Sequence, residues 1–470
     1  MGAGMRFLRP VLLWSLASLW LSAMLPAEID AFIKKDKISP SQVSLLITQT
    51  RGGRELASYR ADQSRRPASV IKLMTTYAAL LELGKDFRWP TRFYIRGRLN
   101  GGVLDGDLIV KAYGDPTLSF RDIPGIVGRL RRLGIGKITG NILIDRSFFA
   151  GGGRISSGFD RHPYSEYNAM PDALMFDDHL CRIRVDTRSG RAVVNKTIPD
   201  RSYQVVNQLK VTSKACRGRY SWPRVKIRKE GELPTVILSG TLSKHCSPRT
   251  IKNVLSHPYY GFYYSLAEEM KRQGIDYRGK LLLAKVPADA RPLMTHYSQP
   301  LLKILAKTNK KSNNLYARHI FLLLGAKRYG APATEEKGRR AVREILKARG
   351  IWDDRTILDN GCGLSRRSRT TAHALHLLLQ DAYRRYAWDW LSTLAIAGVD
   401  GTIKRRFRNT PVRKRAWMKT GTLKDAKNIA GYVKGRSGRF YTVAILYNGP
   451  ERWKGSLLEN QILEWIVKNK

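Results

Sequence analysis

Acidic residues are in short supply in this chain: 38 Asp and Glu stand against 84 Lys and Arg, a formal net charge of +46 over 470 residues. So large a surplus usually prompts a nucleic-acid reading. The bases, however, are spread along the chain without a Lys/Arg-rich tail, and no zinc-finger or RNA-recognition signature occurs. Nucleic acid is therefore not an expected partner. Cysteine is scarcer still. Cys181, Cys216, Cys246 and Cys362 fit neither a disulfide-dense scaffold nor a zinc spacing. Cys216 and Cys246 share one polar, turn-like region, which leaves a bridge between them open either way. The eight histidines form no metal pattern. His373 and His376 fall on one helix face, where surface or core duty is the ordinary role. No metal and no cofactor is expected. Internal repeats and low-complexity segments are missing too, and the length allows more than one domain.

The N-terminus carries an apolar run, Val11 to Leu25, with Arg6 and Arg9 before it and the small residues Ala23 and Ala27 behind it. It is short for a spanning helix and has the layout of an export signal, expected to occupy residues 1–27. Leucine stands two residues before each candidate alanine, so an uncleaved anchor is the second reading.

Beyond it the chain changes character twice. Gln42 to Ile47 and Arg54 to Tyr59 read as a hairpin turned at Arg51-Gly52-Gly53. An apolar helix follows from Val70 to Leu83, stopped by Gly84. From about Thr91 to Pro258 short alternating runs dominate, broken by Gly, Pro and Asn, with one helix near Ile123 to Leu133. Helical periodicity then resumes at Phe262–Gln273, Leu301–Lys307, Asn314–Arg328, Glu335–Ala348 and Thr371–Arg385. Strands are expected at Ala416–Met418, Ile429–Lys434 and Phe440–Tyr447, and a last helix at Ser456–Val467. The fold class is mixed α+β.

Chemistry concentrates in three short segments. Ser69-Val70-Ile71-Lys72 puts a hydroxyl and an amine three residues apart on one helix face, within mutual reach. A serine needs such a base to become a nucleophile, and the first turn of a helix offers N–H groups to a developing oxyanion. Alone, the pattern occurs by chance on the order of once or twice in a chain this long. Ser312-Asn313-Asn314 opens a helical run, where a cap is the ordinary role. Lys419-Thr420-Gly421 ends a strand. The ordered trio is the informative object, because it resembles the motif set of penicillin-binding proteins and serine β-lactamases.

Ser69 and Ser312 are 243 positions apart, far more than compact β-lactamases use, and the gap implies a large insertion behind the nucleophile helix. With His296-Tyr297-Ser298-Gln299-Pro300-Leu301, Asp359-Asn360-Gly361-Cys362-Gly363-Leu364-Ser365-Arg366, Gly398-Val399-Asp400-Gly401-Thr402 and Gly114-Asp115-Pro116-Thr117-Leu118, the chain resembles the D-alanyl-D-alanine carboxypeptidase/endopeptidase family, class C low-molecular-mass penicillin-binding proteins (peptidase family S13). The resemblance implies a penicillin-recognising serine-hydrolase domain, an antiparallel sheet flanked by helices, split into 28–90 and 259–470. It implies an accessory insertion at 91–258, two nested domains with the inner one about 101–170. It also implies periplasmic D,D-peptidase action on peptidoglycan peptides and acylation by β-lactams. Peripheral contact with the membrane or with acidic envelope polymers is a further expectation from the charge.

Roles follow residue by residue. Ser69 is the expected nucleophile and Lys72 its base, made partly neutral by burial and by the charge of Lys419. Ser312 relays the proton. The backbone N–H groups of Ser69 and Thr422 are implied as the oxyanion hole. Asn314 holds the substrate's backbone, Lys419 and Thr420 bind its carboxylate, and Gly421 lets it lie close to the strand. Two departures stand out: Cys362 replaces the usual serine, with altered packing expected, and Arg318 stands where many relatives carry glutamate. A β-lactamase or esterase is the alternative, but no Glu-x-x-Leu-Asn pattern lies between Ser312 and Lys419 to activate a deacylating water. A non-catalytic envelope-binding protein is the other, kept open by the charge.

The densest basic run, Lys404, Arg405, Arg406, Arg408, Arg413, Lys414 and Arg415, leads straight into Lys419. A solvated face is one role for it, and steering of acidic substrate is the sharper one. Replacing Arg413, Lys414 and Arg415 by Gln should slow digestion of insoluble murein several-fold at low salt and flatten its salt dependence. Unchanged rates and salt response would rule steering out.

Overall fold

The computed structural model describes residues 25–470 except 152–153, 199 and 230–232. The expected export segment therefore lies almost wholly outside the described residues. Ala27 already opens a helix, Ala27–Lys35, whose Ile29 and Ile33 are buried.

A six-stranded antiparallel sheet organises the chain's two ends. Its order is Ala395–Ile396, Ala416–Leu423, Ala426–Lys434, Phe440–Tyr447, Val43–Gln49 and Glu55–Tyr59. The N-terminal hairpin thus pairs directly with the chain's last strand. Alternation along these strands sends side chains to opposite faces. Leu45, Ile47, Ile429, Val433, Val443 and Ile445 join a core with Ile29, Leu458 and Ile462. Leu46, Ala430, Tyr432, Ala444 and Leu446 join the other, with Leu73, Tyr77, Leu315 and Leu375. Because both faces are covered, Phe440–Tyr447 reads as a continuous apolar run.

The helices fall close to the expected places. The last, Arg452–Asn469, starts before the expected Ser456. The helix Ala372–Ser392 is capped by the Thr371 side chain and runs past the expected Arg385, across a non-helical Ala387. His373 bonds to Asp62 Oδ1 at 3.0 Å and His376 to Thr48 Oγ1 at 2.8 Å, which gives both a structural role.

Pairing in the inserted region does not follow the expected edges. A seven-stranded mixed sheet takes Pro90–Asn100, Val103–Ala112, Lys137–Ile138 and Ile142–Asp145, then closes with Asp276–Tyr277, Leu281–Leu283 and Arg291–Tyr297. Two three-stranded sheets lie between residues 181 and 253. We therefore propose an insertion at 90–297 with 181–253 nested inside it, in place of 91–258 and 101–170. Alternation reveals strands one at a time and cannot tell which later strand returns to pair. Cys216 and Cys246 form a disulfide in the nested part, while Cys181 and Cys362 are buried thiols.

What fixes the nucleophile helix, Lys72–Leu83, is a polar tie inside its apolar packing. The Tyr77 hydroxyl donates to Asp381 Oδ2 at 2.5 Å, and its ring meets Trp390 edge-on at 5.4 Å. Arg349 and Arg384 also donate to Asp381. Burial pushes this carboxyl upward, but the bonds from Arg349, Tyr77 and Arg384 outweigh it and hold it down to about 2. A depressed carboxyl stabilises the fold above its unfolded value near 4 and loses that contribution as pH falls towards 2. Asp381→Ala, which orphans the tyrosine hydroxyl, should cost about 2–4 kcal/mol at pH 7. In denaturant unfolding the difference from wild type should shrink between pH 4 and 2; a difference constant with pH would contradict this account.

Candidate active site

Ser69 lies in a 3₁₀ turn, Ala68–Ile71, that runs directly into the helix beginning at Lys72. The turn is entered through Ala68 at φ 49°, a left-handed conformation unusual for a residue with a side chain. Two other segments press against it. A Cβ on Gly421 would stand 2.5 Å from the Pro67 carbonyl oxygen, and one on Gly363 (φ 79°) would stand 2.1 Å from that of Ala68. Gly421 is thus required for the strand to meet the nucleophile turn, a reason distinct from the substrate approach expected of it.

Lys72 is wholly buried. Its Nζ donates to Ser69 Oγ at 2.9 Å, to Asn314 Oδ1 at 2.7 Å and to the Cys362 carbonyl. Asn314 also donates through Nδ2 to the Tyr167 carbonyl at 3.0 Å, so both ends of its amide are engaged within the protein. Asn314, expected to hold substrate, is thus also tied to Tyr167 and Lys72, and the Cys362 carbonyl joins it around the amine. No side-chain pattern marks a main-chain acceptor.

The turn at Ser312 is equally specific. Ser312 ends the helix Leu301–Lys311 at φ 55°, and Asn313 caps Asn314–Tyr329 by accepting from the Tyr316 N–H at 3.0 Å. The reversal presents the Ser312 hydroxyl to Lys419, whose Nζ donates to it at 3.0 Å and to the Thr420 carbonyl at 2.7 Å. Lys419 is wholly buried, and Thr420 Oγ1 bonds to Thr402 Oγ1 at 2.8 Å. Thr422 is exposed at the strand's outer end. The Cys362 thiol donates to Asn360 Oδ1 at 3.2 Å, a bond a serine hydroxyl could also make. Of the basic run, Arg406 is drawn to buried Glu459, while Lys404, Arg405, Arg408, Arg413, Lys414 and Arg415 are exposed.

Burial lowers Lys72 from the usual lysine range to about 8; the Cys362 thiol pulls the other way, and the Arg318 guanidinium adds to the lowering. Lys419 is held well below its ordinary value by burial and then by Lys72. Two cations therefore bear on Lys72: Arg318, which the sequence motifs do not include, and Lys419, since Lys72 and Lys419 disfavour each other's protons.

A base must be neutral to accept a proton, and Lys72 is protonated below about 8. Acylation of the chain by a fluorescent penicillin should accordingly rise nearly tenfold per pH unit from pH 6 and level off above about 8. Lys72→Arg should lower the rate by about 10²–10⁴. A flat profile between pH 6 and 8 would exclude Lys72 as the base.

The model of the D-Ala-D-Ala carboxypeptidase 3 (S13) family matches residues 25–469. The chain is 27% identical over 417 residues to the D-alanyl-D-alanine carboxypeptidase DacB of Haemophilus influenzae, a match covering 87% of this chain and 86% of that protein. It is 27% identical over 439 residues to a D-alanyl-D-alanine carboxypeptidase of an Actinomadura species, covering 90% and 80%. The crystal structure of penicillin binding protein 4 (dacB) from Haemophilus influenzae aligns with a TM-score of 0.78 at 25% identity, over 94% of this chain and 99% of that one. The family match runs through every segment that builds the site, and the chain belongs to the D-Ala-D-Ala carboxypeptidase 3 (S13) family of serine peptidases.

Proposed function

We propose that this protein is an exported serine D,D-peptidase of peptidoglycan, working as a D-alanyl-D-alanine carboxypeptidase and a D-alanyl–diaminopimelate endopeptidase through an acyl-enzyme on Ser69. The observation that carries the reading is the pair of hydroxyl–amine contacts, Ser69 with Lys72 at 2.9 Å and Ser312 with Lys419 at 3.0 Å, both amines being buried.

In this reading the neutral fraction of Lys72 takes the Ser69 proton as Oγ bonds to the carbonyl carbon of a D-alanine residue. The backbone N–H groups of Ser69 and Thr422 receive the oxyanion. Collapse breaks the C–N bond, and the departing amine collects a proton relayed through Ser312. Water then adds to the acyl carbon and Ser69 recovers its hydrogen. Lys419 and Thr420 take the carboxylate beside the departing amine. An anion there favours the charged form of Lys419, and a charged Lys419 disfavours a proton on Lys72. Substrate binding thus frees the base. The carboxylate adjoins the leaving amine in both free D-alanine and a diaminopimelate cross-link, so one subsite serves both reactions.

The Cys216–Cys246 disulfide supports an oxidising, extracytoplasmic location. Among the described residues no helix is long and apolar enough to cross a membrane. The test is digestion of purified murein with wild type and Ser69→Ala, the muropeptides being read by mass. Wild type should remove terminal D-alanine and split cross-linked dimers, and the variant should do neither. Removal of alanine with dimers intact would eliminate the endopeptidase half. Products unchanged between the two proteins would refute the nucleophile. Rapid multiple turnover of a chromogenic β-lactam would favour a β-lactamase instead.

A further inference from the structure

Among the described residues, one guanidinium buried next to Lys72 has no anion beside it. Arg318 is 4% exposed. It follows Asn314 by one turn of the same helix and so shares the face that carries the Lys72 contact. Among the described residues its Nε has no hydrogen-bond partner, and its Nη1 meets the Met170 thioether, a weak acceptor. Several arginines drawn inward are matched by acids, Arg146 with Asp172, Arg182 with Asp177 and Asp178, Arg406 with Glu459, while buried Arg65 donates to Ser44 Oγ and to the Val43 carbonyl, each at 2.9 Å. A buried charge without a counter-charge is costly, which is why such groups are normally paired.

Arg318 also lines a cavity of about 460 Å³. The other charged walls are Arg154, Arg366, Arg367, Glu335 and Asp359. Both acids are engaged already, Asp359 by Arg367 and Glu335 by Arg339 at 3.9 Å. Arg366 lies over the Phe159 ring at 4.8 Å. What remains unbalanced is positive, with Arg318 at its most buried point. The space admits a small group carrying one negative charge and several acceptor oxygens, and the guanidinium fork suits such a group.

We propose that this cavity is an anion-binding site in which Arg318 holds one small oxyanion, a carboxylate or phosphate group, beside the catalytic pair. Occupancy reaches the chemistry through charge. The groups facing Lys72 are Ser69, Asn314, Cys362 and, as cations, Arg318 and Lys419. An anion on Arg318 offsets one of those two cations, lets Lys72 hold its proton more tightly, and slows acylation near neutral pH. This consequence rests on the peptidase reading; the binding itself does not.

The test uses the full chain and two probes, inorganic phosphate and acetate, at fixed ionic strength. A protein of this charge takes up anions in many places, so the informative quantity is the part of the response that depends on Arg318. Wild type should show a saturable rise in thermal midpoint with at least one probe, and Arg318→Met should lack that saturable part. A response equal in both proteins, or none in wild type, would overturn the site. Should Arg318→Met fail to fold, Arg318→Lys keeps the charge without the fork and should bind the probe at least tenfold more weakly; equal binding would also overturn the site. A saturating probe should move the penicillin-acylation profile of wild type to higher pH, and an unmoved profile would defeat the coupling. With a peptide substrate, a probe that raises KM identifies the substrate's own carboxylate as the occupant, and one that lowers kcat alone identifies a free anion. Absence of any acylation in wild type would sink the peptidase reading and leave the thermal result standing.

Discussion

Two lysine amines taken wholly out of water within one site set the terms for everything around them. Each ammonium is expensive to bury, so the pair cannot both hold a proton comfortably. The protein meets this with fixed oxygen acceptors: Ser69, Asn314 and the Cys362 carbonyl around Lys72, Ser312 and the Thr420 carbonyl around Lys419. None of these oxygens belongs to a carboxylate. An aspartate or glutamate here would restore both lysines to their ordinary range and remove the base. The absence of a carboxylate among these contacts is consistent with both lysines being held below their ordinary range.

The same constraint explains the backbone. Burying both amines requires three distant segments to close over them with no gap for water. The nucleophile turn, the loop through Gly363 and the strand through Gly421 approach so closely that a single Cβ at either glycine would overlap a carbonyl oxygen. Left-handed Ala68 and Ser312 sit at the two points where the chain must reverse to aim a hydroxyl inward. Their strain is carried by the packed sheet and helices behind them.

The sequence made the site legible and left its surroundings dark, for identifiable reasons. Ser69, Lys72, Ser312, Asn314, Lys419 and Thr420 fall in three motifs, and the short spacing within each motif survives in a sequence. Helices and central strands were readable because each buries a face with its own period. The Tyr167 and Cys362 carbonyls contribute as main chain, which any residue carries. Pairing between strands before residue 145 and after residue 276 is a long-range choice that alternation does not encode. Arg318 was visible as an odd residue. Its effect on Lys72 depends on burial, and one turn of helix beyond a motif carries no mark of that.

Burial also gives the long insertion a place in the chemistry. Tyr167 belongs to a loop of that region, and its carbonyl fixes the amide of Asn314, which in turn fixes Lys72. The loop holds itself in position. Asn168, fully buried, donates to Asp160 and to the His162 carbonyl and accepts from the Ser157 hydroxyl at 2.6 Å, while the Tyr167 hydroxyl donates to Asp160. On the other side of the same helix start, Tyr316 donates to Asp178 at 2.9 Å. Asn314 is thus held from the inserted region at the residue itself and again two positions on. A decorative insertion would touch the peptidase domain at its edge. This one reaches the side chain that accepts from Lys72, so the 243 positions between Ser69 and Ser312 include chain that is tied to the site itself.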